Sequence, residues 1–262
     1  MFAPCWSSAP LTPATMPGRS RPIAESANRA TKLDYSSEMT LGLLYDVHGN
    51  LPALEAVLAD AKDVDSWVLG GDYALFGAWP RETVQRLREL DAKWIRGNGE
   101  RWTASPADAP EPVHGAIERC AELLGADLVS ELAGLPGSLA CDGTLYCHGS
   151  PVSDVQSFLP EPGPDEDALL GPVNGGRLVF GHTHFAFART GPLGIELVNP
   201  GSVGMPFDGD HRAAYAVVRE GGAVERRRVA YDHQASADAI RERIGPAGEQ
   251  AARRVERASF DA

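Results

Sequence analysis

Residues 41–50 read Leu41-Gly42-Leu43-Leu44-Tyr45-Asp46-Val47-His48-Gly49-Asn50. A short apolar run stops at an acid, a histidine and a glycine. The run has the length and composition of a buried strand. Asn50 is a helix-capping residue type, and Pro52 suits a first helical turn. Leu51, Leu54, Val57 and Leu58 follow at helical spacing. The stretch therefore predicts strand, polar loop and helix, with Asp46 and His48 where the strand ends.

The same unit recurs downstream. Trp67-Val68-Leu69 predicts a second strand, ending at Gly70-Gly71-Asp72. Pro80 opens a second helix with Val84, Leu87 and Leu90 on one face. Lys93-Trp94-Ile95-Arg96 predicts a third strand, ending at Gly97-Asn98. Strand–helix–strand–helix–strand at this spacing argues a parallel α/β core. Residues 103–111 read as a loop, and 112–134 as helical, forming a small cap over 103–134 beside the site. Asp142-Gly143 signals a hairpin. Residues 160–176, rich in Pro, Gly and acids, read as a surface loop. Further strands are expected at 177–181, 195–199, 212–219 and 223–231, the last two joined through Gly221-Gly222. Helices close the chain from about 235. There is no internal repeat.

Five blocks stand at these strand ends: Asp46-Val47-His48-Gly49-Asn50, Gly71-Asp72, Gly97-Asn98-Gly99-Glu100, His148-Gly149-Ser150 and Gly181-His182-Thr183-His184. Ligands bind at the carboxyl ends of strands in such sheets. Asp46 and His48 are two apart, as are His182 and His184, so on extended backbone each pair would face one point. His nitrogen, Asp oxygen and a carboxamide oxygen suit first-row divalent metals. Two such metals would clamp a phosphoryl group and activate a shared water. Each block has an ordinary reading too: Gly-Asp and Gly-Asn as turns, His148 as a hydrogen-bonded buried histidine. Gly-His-Thr-His is harder to dismiss, because two histidines there are costly to bury unpaired. The force lies in the ordered set.

Composition sets the bounds. The 262 residues carry 24 basic and 36 acidic side chains, a formal net charge of −12. That balance argues against a broad surface for duplex nucleic acid or anionic membrane. A small anionic substrate stays open, since bound metal reverses the local sign. No apolar run approaches the ~18 residues of a membrane span. The four cysteines, at 5, 120, 141 and 147, form no CxxC pair and read as reduced thiols of a cytoplasmic protein. In the first 38 residues, Pro, Ser, Ala and Thr fill 20 positions, without periodicity or an apolar signal core. Residues 1–38 are read as a disordered extension, with a transit peptide as the weaker alternative, and 39–262 as one domain. Met39 is an alternative start.

The order Asp-x-His, Gly-Asp, Gly-Asn, His-Gly, Gly-His-x-His resembles the calcineurin-like metallophosphoesterase superfamily, in particular its small prokaryotic phosphodiesterase branch. Asn199-Pro200-Gly201-Ser202-Val203-Gly204 resembles that branch as well, as does Gly71-Asp72-Tyr73 running on to Phe76-Gly77 and Pro80. The resemblance spans about residues 40–230. It implies a four-layer α/β/β/α sandwich of two mixed sheets flanked by helices. It also implies two divalent metal ions, manganese first, with iron, zinc, nickel or cobalt as alternatives. By position, Asp46, His48, Asp72 and His184 would hold one ion, and Asp72, Asn98, His148 and His182 the other, with Asp72 bridging. A metal-bound hydroxide would attack phosphorus, with Asp72, Asn98 and His148 as the catalytic residues. His211 and Arg212, following the Asn-Pro-Gly-Ser block, are with Asn98 the candidate substrate contacts.

The expected activity is hydrolysis of a small nucleotide-like phosphodiester. Phosphomonoesters, dinucleoside polyphosphates and phosphoproteins are the alternatives, and a non-catalytic metal-binding module is a reading of another class. One departure bears on mechanism. Many relatives carry a histidine after Gly-Asn that protonates the leaving group, and this chain has Gly99. Glu100 beside it would need a raised pKa to act as an acid.

Overall fold

The computed structural model describes residues 39–173 and 176–261. The extension expected over residues 1–38 lies outside the described residues. β1 (Leu41–Leu44) is buried along its whole length at the centre of the first sheet. A strand covered on both faces reads as an unbroken apolar run rather than an alternating one. Leu41, Leu43 and Tyr45 point one way, and Leu44 the other. Gly42 has a local cause: a Cβ there would meet the Trp67 ring at 2.2 Å.

α1 (Leu51–Asp60) carries the chain to β2 (Ser66–Leu69), which pairs parallel with β1. Asn50 caps α1 by accepting the Ala53 N–H, as its side-chain chemistry predicts. α2 (Pro80–Leu87) leads to β3 (Ala92–Trp94), parallel to β2. The chain then forms α3 (Asn98–Ala104), α4 (His114–Leu124) and α5 (Ala126–Ala133). The expected helical stretch 112–134 is broken at Gly125, whose φ of 77° suits glycine. α3 was not legible in the sequence: Gly97-Asn98-Gly99 reads as a turn, yet Asn98 is its first residue. The cap region joins the helical layer, where Ile117, Cys120, Leu124, Leu128 and Leu132 share a core with Tyr73 and Trp94.

The second sheet holds β4 (Ser138–Cys141), β5 (Thr144–Cys147), β6 (Arg177–Val179), β7 (Phe187–Thr190) and β8 (Glu196–Asn199), in the order β4-β5-β6-β8-β7. β4 and β5 form the hairpin expected at Asp142-Gly143. β7 is a strand the sequence reading did not contain; only Phe187 of its four residues is buried, as suits a sheet edge. Within the expected loop 160–176 lies α6 (Glu166–Leu170), tied down by buried Glu166 pairing with Arg189. β9 (Ala213–Val218) returns to the first sheet antiparallel to β1, and β10 (Val224–Val229) completes the order β10-β9-β1-β2-β3.

The two mixed sheets pack face to face, with helices on the outside. Leu41, Leu43, Tyr45, Val68 and Ile95 meet Tyr146, Val179 and Val198 between the sheets. Leu44, Leu69 and Trp94 face Leu54, Val57, Val84 and Leu87 outside the first sheet. Leu178 and Leu197 face Phe158 and Leu170 outside the second. Each buried leucine contributes about 2 kcal/mol, so the sandwich is a firm base for the loops at its edge. α7 (His233–Ile244) and α8 (Glu249–Arg257) pack Ile240, Ala252 and Val255 with Ala78 and Met205. No helix among the described residues is long and apolar enough to cross a membrane.

Candidate metal centre

Parallel strands bring their carboxyl ends to one edge, and the candidate ligands sit there. Asp46 follows β1, Asp72 follows β2, Asn98 follows β3, His148 follows β5, and His182 and His184 follow β6. The loops are wired together by main chain. His48 N–H donates to Asp72 O at 2.8 Å, Gly49 N–H to Tyr73 O at 2.8 Å, and Gly181 N–H to His148 O at 2.7 Å.

The pairs Asp46/His48 and His182/His184 do converge, but not by extended backbone. Their φ angles are 54°, 48°, 67° and 61°, and that of Asp72 is 56°. Nine non-glycine residues take positive φ among the described residues, and five are candidate ligands. Each such residue costs about 1–2 kcal/mol. Strain held in place by surrounding structure clusters where function needs a fixed geometry.

The side chains meet in two groups. Asp46, His48 and His184 form one, Asp46, Asp72 and His148 the other; within each, the donor atoms lie within 4.8 Å of one another, and all these residues are buried. His48 Nε2 is 3.1 Å from His184 Nε2. Asp46 Oδ1 is 3.5 Å from His184 Nε2 and 3.9 Å from His148 Nε2. The oxygens of Asp72 face both groups, Oδ2 at 3.8 Å from His48 Nε2 and Oδ1 at 3.4 Å from His148 Nε2. Asn98 Oδ1 lies 2.9 Å from both His148 Nε2 and His182 Nδ1. All seven predicted ligands are thus at one place.

Tautomers decide whether a cation fits. Nδ1 of His48 lies 2.9 Å from Leu75 O, Nδ1 of His148 2.9 Å from Gly70 O, and Nδ1 of His184 2.6 Å from Met205 O. A carbonyl only accepts, so each Nδ1 carries the hydrogen, and each imidazole, once neutral, turns a lone pair inward at Nε2. Two such lone pairs, on His48 and His184, repel at 3.1 Å unless a cation lies between them. Ligands bound at ~2.1 Å around one ion stand about 3 Å apart, so the pair fits a divalent metal.

Electrostatics agree. Burial and the neighbouring His184 hold His48 down to about 4, and burial and His148 hold His182 at about 4, so both are neutral ligands at pH 7. Burial alone would raise Asp46, but His184, His148 and His48 keep it well below the usual carboxylate range. Burial opposes charge on His148, yet Asp72 and Asp46 raise it above its ordinary value.

Glu100 is pushed up to about 7 by burial and by Asp72. Its oxygens nonetheless face away from acid chemistry. They accept the main-chain N–H groups of Asp72 (2.9 Å), Tyr73 (2.8 Å) and Gly97 (2.8 Å). Glu100 clips the Asp72 loop to the Asn98 loop. Gly99 N–H donates to Asp72 Oδ1 at 2.7 Å, and a Cβ at Gly99 would come within 2.9 Å of that oxygen.

His211 and Arg212 are placed otherwise. Arg212 pairs with Asp210 at 2.7 Å, and His211 Nε2 donates to Glu256 O at 2.7 Å. Among the described residues, no hydrogen bond or ion pair joins either to the seven ligands. Sequence reasoning gave Ser202 no role. Its Oγ donates to Asp46 O at 2.7 Å and accepts Met205 N–H at 2.8 Å, and Met205 O is the carbonyl that orients His184. The one signal was its place in the Asn-Pro-Gly-Ser block.

Comparison with known proteins bears on the family and the fold. A family model described as a calcineurin-like phosphoesterase superfamily domain matches residues 39–221. The chain resembles the crystal structure of a metallophosphoesterase from Sphaerobacter thermophilus, with a TM-score of 0.71 and 28% identity, covering 84% of this chain and 99% of that one. A hypothetical protein from Pyrococcus horikoshii shares the fold, with a TM-score of 0.71 at 21% identity over 80% of this chain and 96% of that one. An uncharacterized protein of Methanocaldococcus jannaschii is 27% identical over 218 residues, covering 73% of this chain and 88% of the relative.

Proposed function

The chain belongs to the calcineurin-like phosphoesterase superfamily, and from that premise we propose that it is a two-metal phosphodiesterase hydrolysing a small, nucleotide-like phosphoester. The observation that carries this reading is the double set of inward-facing donors, with Asp46 and Asp72 lying between His48/His184 on one side and His148/His182 on the other. Asp46, His48, Asp72 and His184 would hold one ion, and Asp72, Asn98, His148 and His182 the other, with Asp72 as the bridge. When bound, two divalent ions supply Lewis-acid polarisation of the phosphoryl oxygens and activation of water.

The chain's own residues do the rest. Carbonyls of Leu75, Gly70 and Met205 fix the three imidazoles in their ligating tautomer. Asp46 stays ionised throughout the physiological range. Asn98, at the start of α3, presents its carboxamide between His148 and His182, where it orients a phosphoryl oxygen. His182 is half-buried while the other six ligands are buried, so the site meets solvent at that ligand. The ligand set suits manganese, with iron, zinc, nickel or cobalt as alternatives. Cys120, Cys141 and Cys147 form no disulfide with one another, and a cytoplasmic setting is part of the proposal. A non-catalytic module on this fold would have no need to keep seven ligands and the strain that aims them.

The test is hydrolysis of bis-p-nitrophenyl phosphate against p-nitrophenyl phosphate by chelator-stripped protein with Mn²⁺ restored. Metal-dependent cleavage, faster on the diester, is expected. Faster monoester cleavage would make the protein a phosphatase. No cleavage of either by folded, metal-loaded protein would overturn the enzymatic reading.

A further inference from the structure

Phe207, in the loop after β8, and Phe260, after α8, form an aromatic pair beside the candidate ligand His184. Phe207 stacks on the candidate ligand His184, with ring centroids 4.2 Å apart and planes 17° from parallel. Phe260 meets Phe207 at 5.5 Å and 72°. The Arg254 guanidinium, from α8, lies 4.2 Å from the Phe260 ring centre and 5.8 Å from that of Phe207. The tail is fixed in this position. Ala258 turns the chain after α8 with a φ of 47°, its carbonyl accepts Gly209 N–H at 2.9 Å, and Arg254 Nε donates to Phe260 O at 3.1 Å.

Five large hydrophobic side chains are exposed among the described residues: Val152, Val155, Leu159, Leu193 and Phe260. Phe260 is the one aromatic, and its contacts lead through Phe207 to a candidate metal ligand. An aromatic used only to anchor the tail would be buried, yet Phe260 is 56% exposed. The guanidinium lies over the ring, Phe207 meets it edge to face, and more than half of the side chain is still exposed. A flat ring fixed beside a phosphoester site, backed by a cation, is a stacking surface for another π-system.

We propose that Phe207, Arg254 and Phe260 form the subsite that holds the flat organic group of the phosphoester, a nucleobase or an aryl ring, beside the metal centre. The proposal rests on the phosphoesterase reading and names the residues that set substrate class. Phe260 is a specificity residue that contacts substrate; Phe207 and Arg254 position it.

The experiment uses the full chain loaded with Mn²⁺, as wild type, Phe260→Ala and Phe260→Trp. Calorimetry measures binding of AMP, phenyl phosphate and methyl phosphate, and bis-p-nitrophenyl phosphate turnover is followed in parallel. Phe260→Ala is expected to weaken AMP and phenyl phosphate by roughly fivefold or more while leaving methyl phosphate unchanged. Phe260→Trp should retain or tighten AMP. A loss confined to AMP would assign the subsite to nucleobases, and one confined to phenyl phosphate to aryl rings. If wild type turns over the diester but the three ligands respond alike to Phe260→Ala, or Phe260→Trp behaves as Phe260→Ala, the subsite is refuted and the enzyme reading stands. If metal-loaded wild type neither binds these phosphates nor hydrolyses the diester, both fall together.

Discussion

His48 and His184 meet nose to nose, Nε2 to Nε2 at 3.1 Å, with the hydrogen of each ring committed to a main-chain carbonyl behind it. The arrangement is built from opposite ends of the domain, since 136 residues separate the two. One carbonyl comes from Leu75 in the loop after β2, the other from Met205 in the loop after β8. Four loops thus agree on one tautomeric pattern whose repulsion a cation relieves.

Ser202 is the hinge of that agreement, because its hydroxyl joins Asp46 O to the Met205 turn. Ser202→Ala is expected to lower divalent-metal affinity roughly 10–100-fold, the effect of losing an outer-shell partner, while Ser202→Thr retains most of it. Competition with a chelating fluorophore measures this. Unchanged affinity in Ser202→Ala would show that Met205 needs no such support.

Glu100 clips two ligand loops through three N–H groups. Gln can accept from Asp72 and Gly97 but then turns its amide hydrogens on the Tyr73 N–H. Glu100→Gln should therefore cost about 1–3 kcal/mol of stability, the penalty of one orphaned buried donor. Urea unfolding at pH 8, above the shifted Glu100 range near 7, gives the comparison. An unchanged midpoint would contradict the clip.

Metal binding should release protons from His148 and not from His48 or His182. His148 is raised by Asp72 and Asp46 against the effect of burial, and it must lose its proton to ligate. His48 and His182, held at about 4, already arrive neutral. Protons therefore compete with metal, and affinity falls as pH drops from 8 to 6. Calorimetry at pH 7 in buffers of different ionisation enthalpy should find up to about one imidazole proton released per chain. A pH-independent affinity with no release would contradict the assignment.

Gly99 leaves the site without a leaving-group acid, and Glu100 cannot replace it while its oxygens serve three N–H groups. Rates should then follow leaving-group pKa steeply, with p-nitrophenyl esters cleaved far faster than alkyl esters. Gly99→His should not restore alkyl ester cleavage, because its Cβ would crowd Asp72 Oδ1, and it should weaken metal binding instead. Equal rates on activated and alkyl esters, or a gain of function in Gly99→His, would overturn this account.

Much of the site was legible in the sequence, for reasons that can be stated. A parallel core puts its strand ends together, so Asp46, Asp72, Asn98, His148, His182 and His184 were bound to share an edge. What failed were inferences from local pattern. The i, i+2 pairs converge through left-handed backbone rather than extended alternation, which no short stretch of sequence announces. Asn98 reads as a turn but starts α3, because Glu100 and the Gly97 N–H stabilise a helix too short to show a periodicity. β7 hides because an edge strand buries one residue of four. The partners of His211 and Arg212, the Glu256 carbonyl and nearby Asp210, were likewise not legible in the motif they follow. Phe260 and Arg254, from the far end of the chain, meet Phe207, which stacks on His184, only through folding.

The central claim is that one chain holds two ions joined across Asp72. Electron paramagnetic resonance of Mn²⁺-loaded protein, with the metal counted in the same sample, tests it most directly. Two Mn²⁺ per chain with an exchange-coupled spectrum, collapsing in Asp72→Asn to signals of isolated ions or to metal loss, is the result expected. One Mn²⁺ per chain, or two uncoupled ions unaffected by Asp72→Asn, would contradict the dinuclear centre.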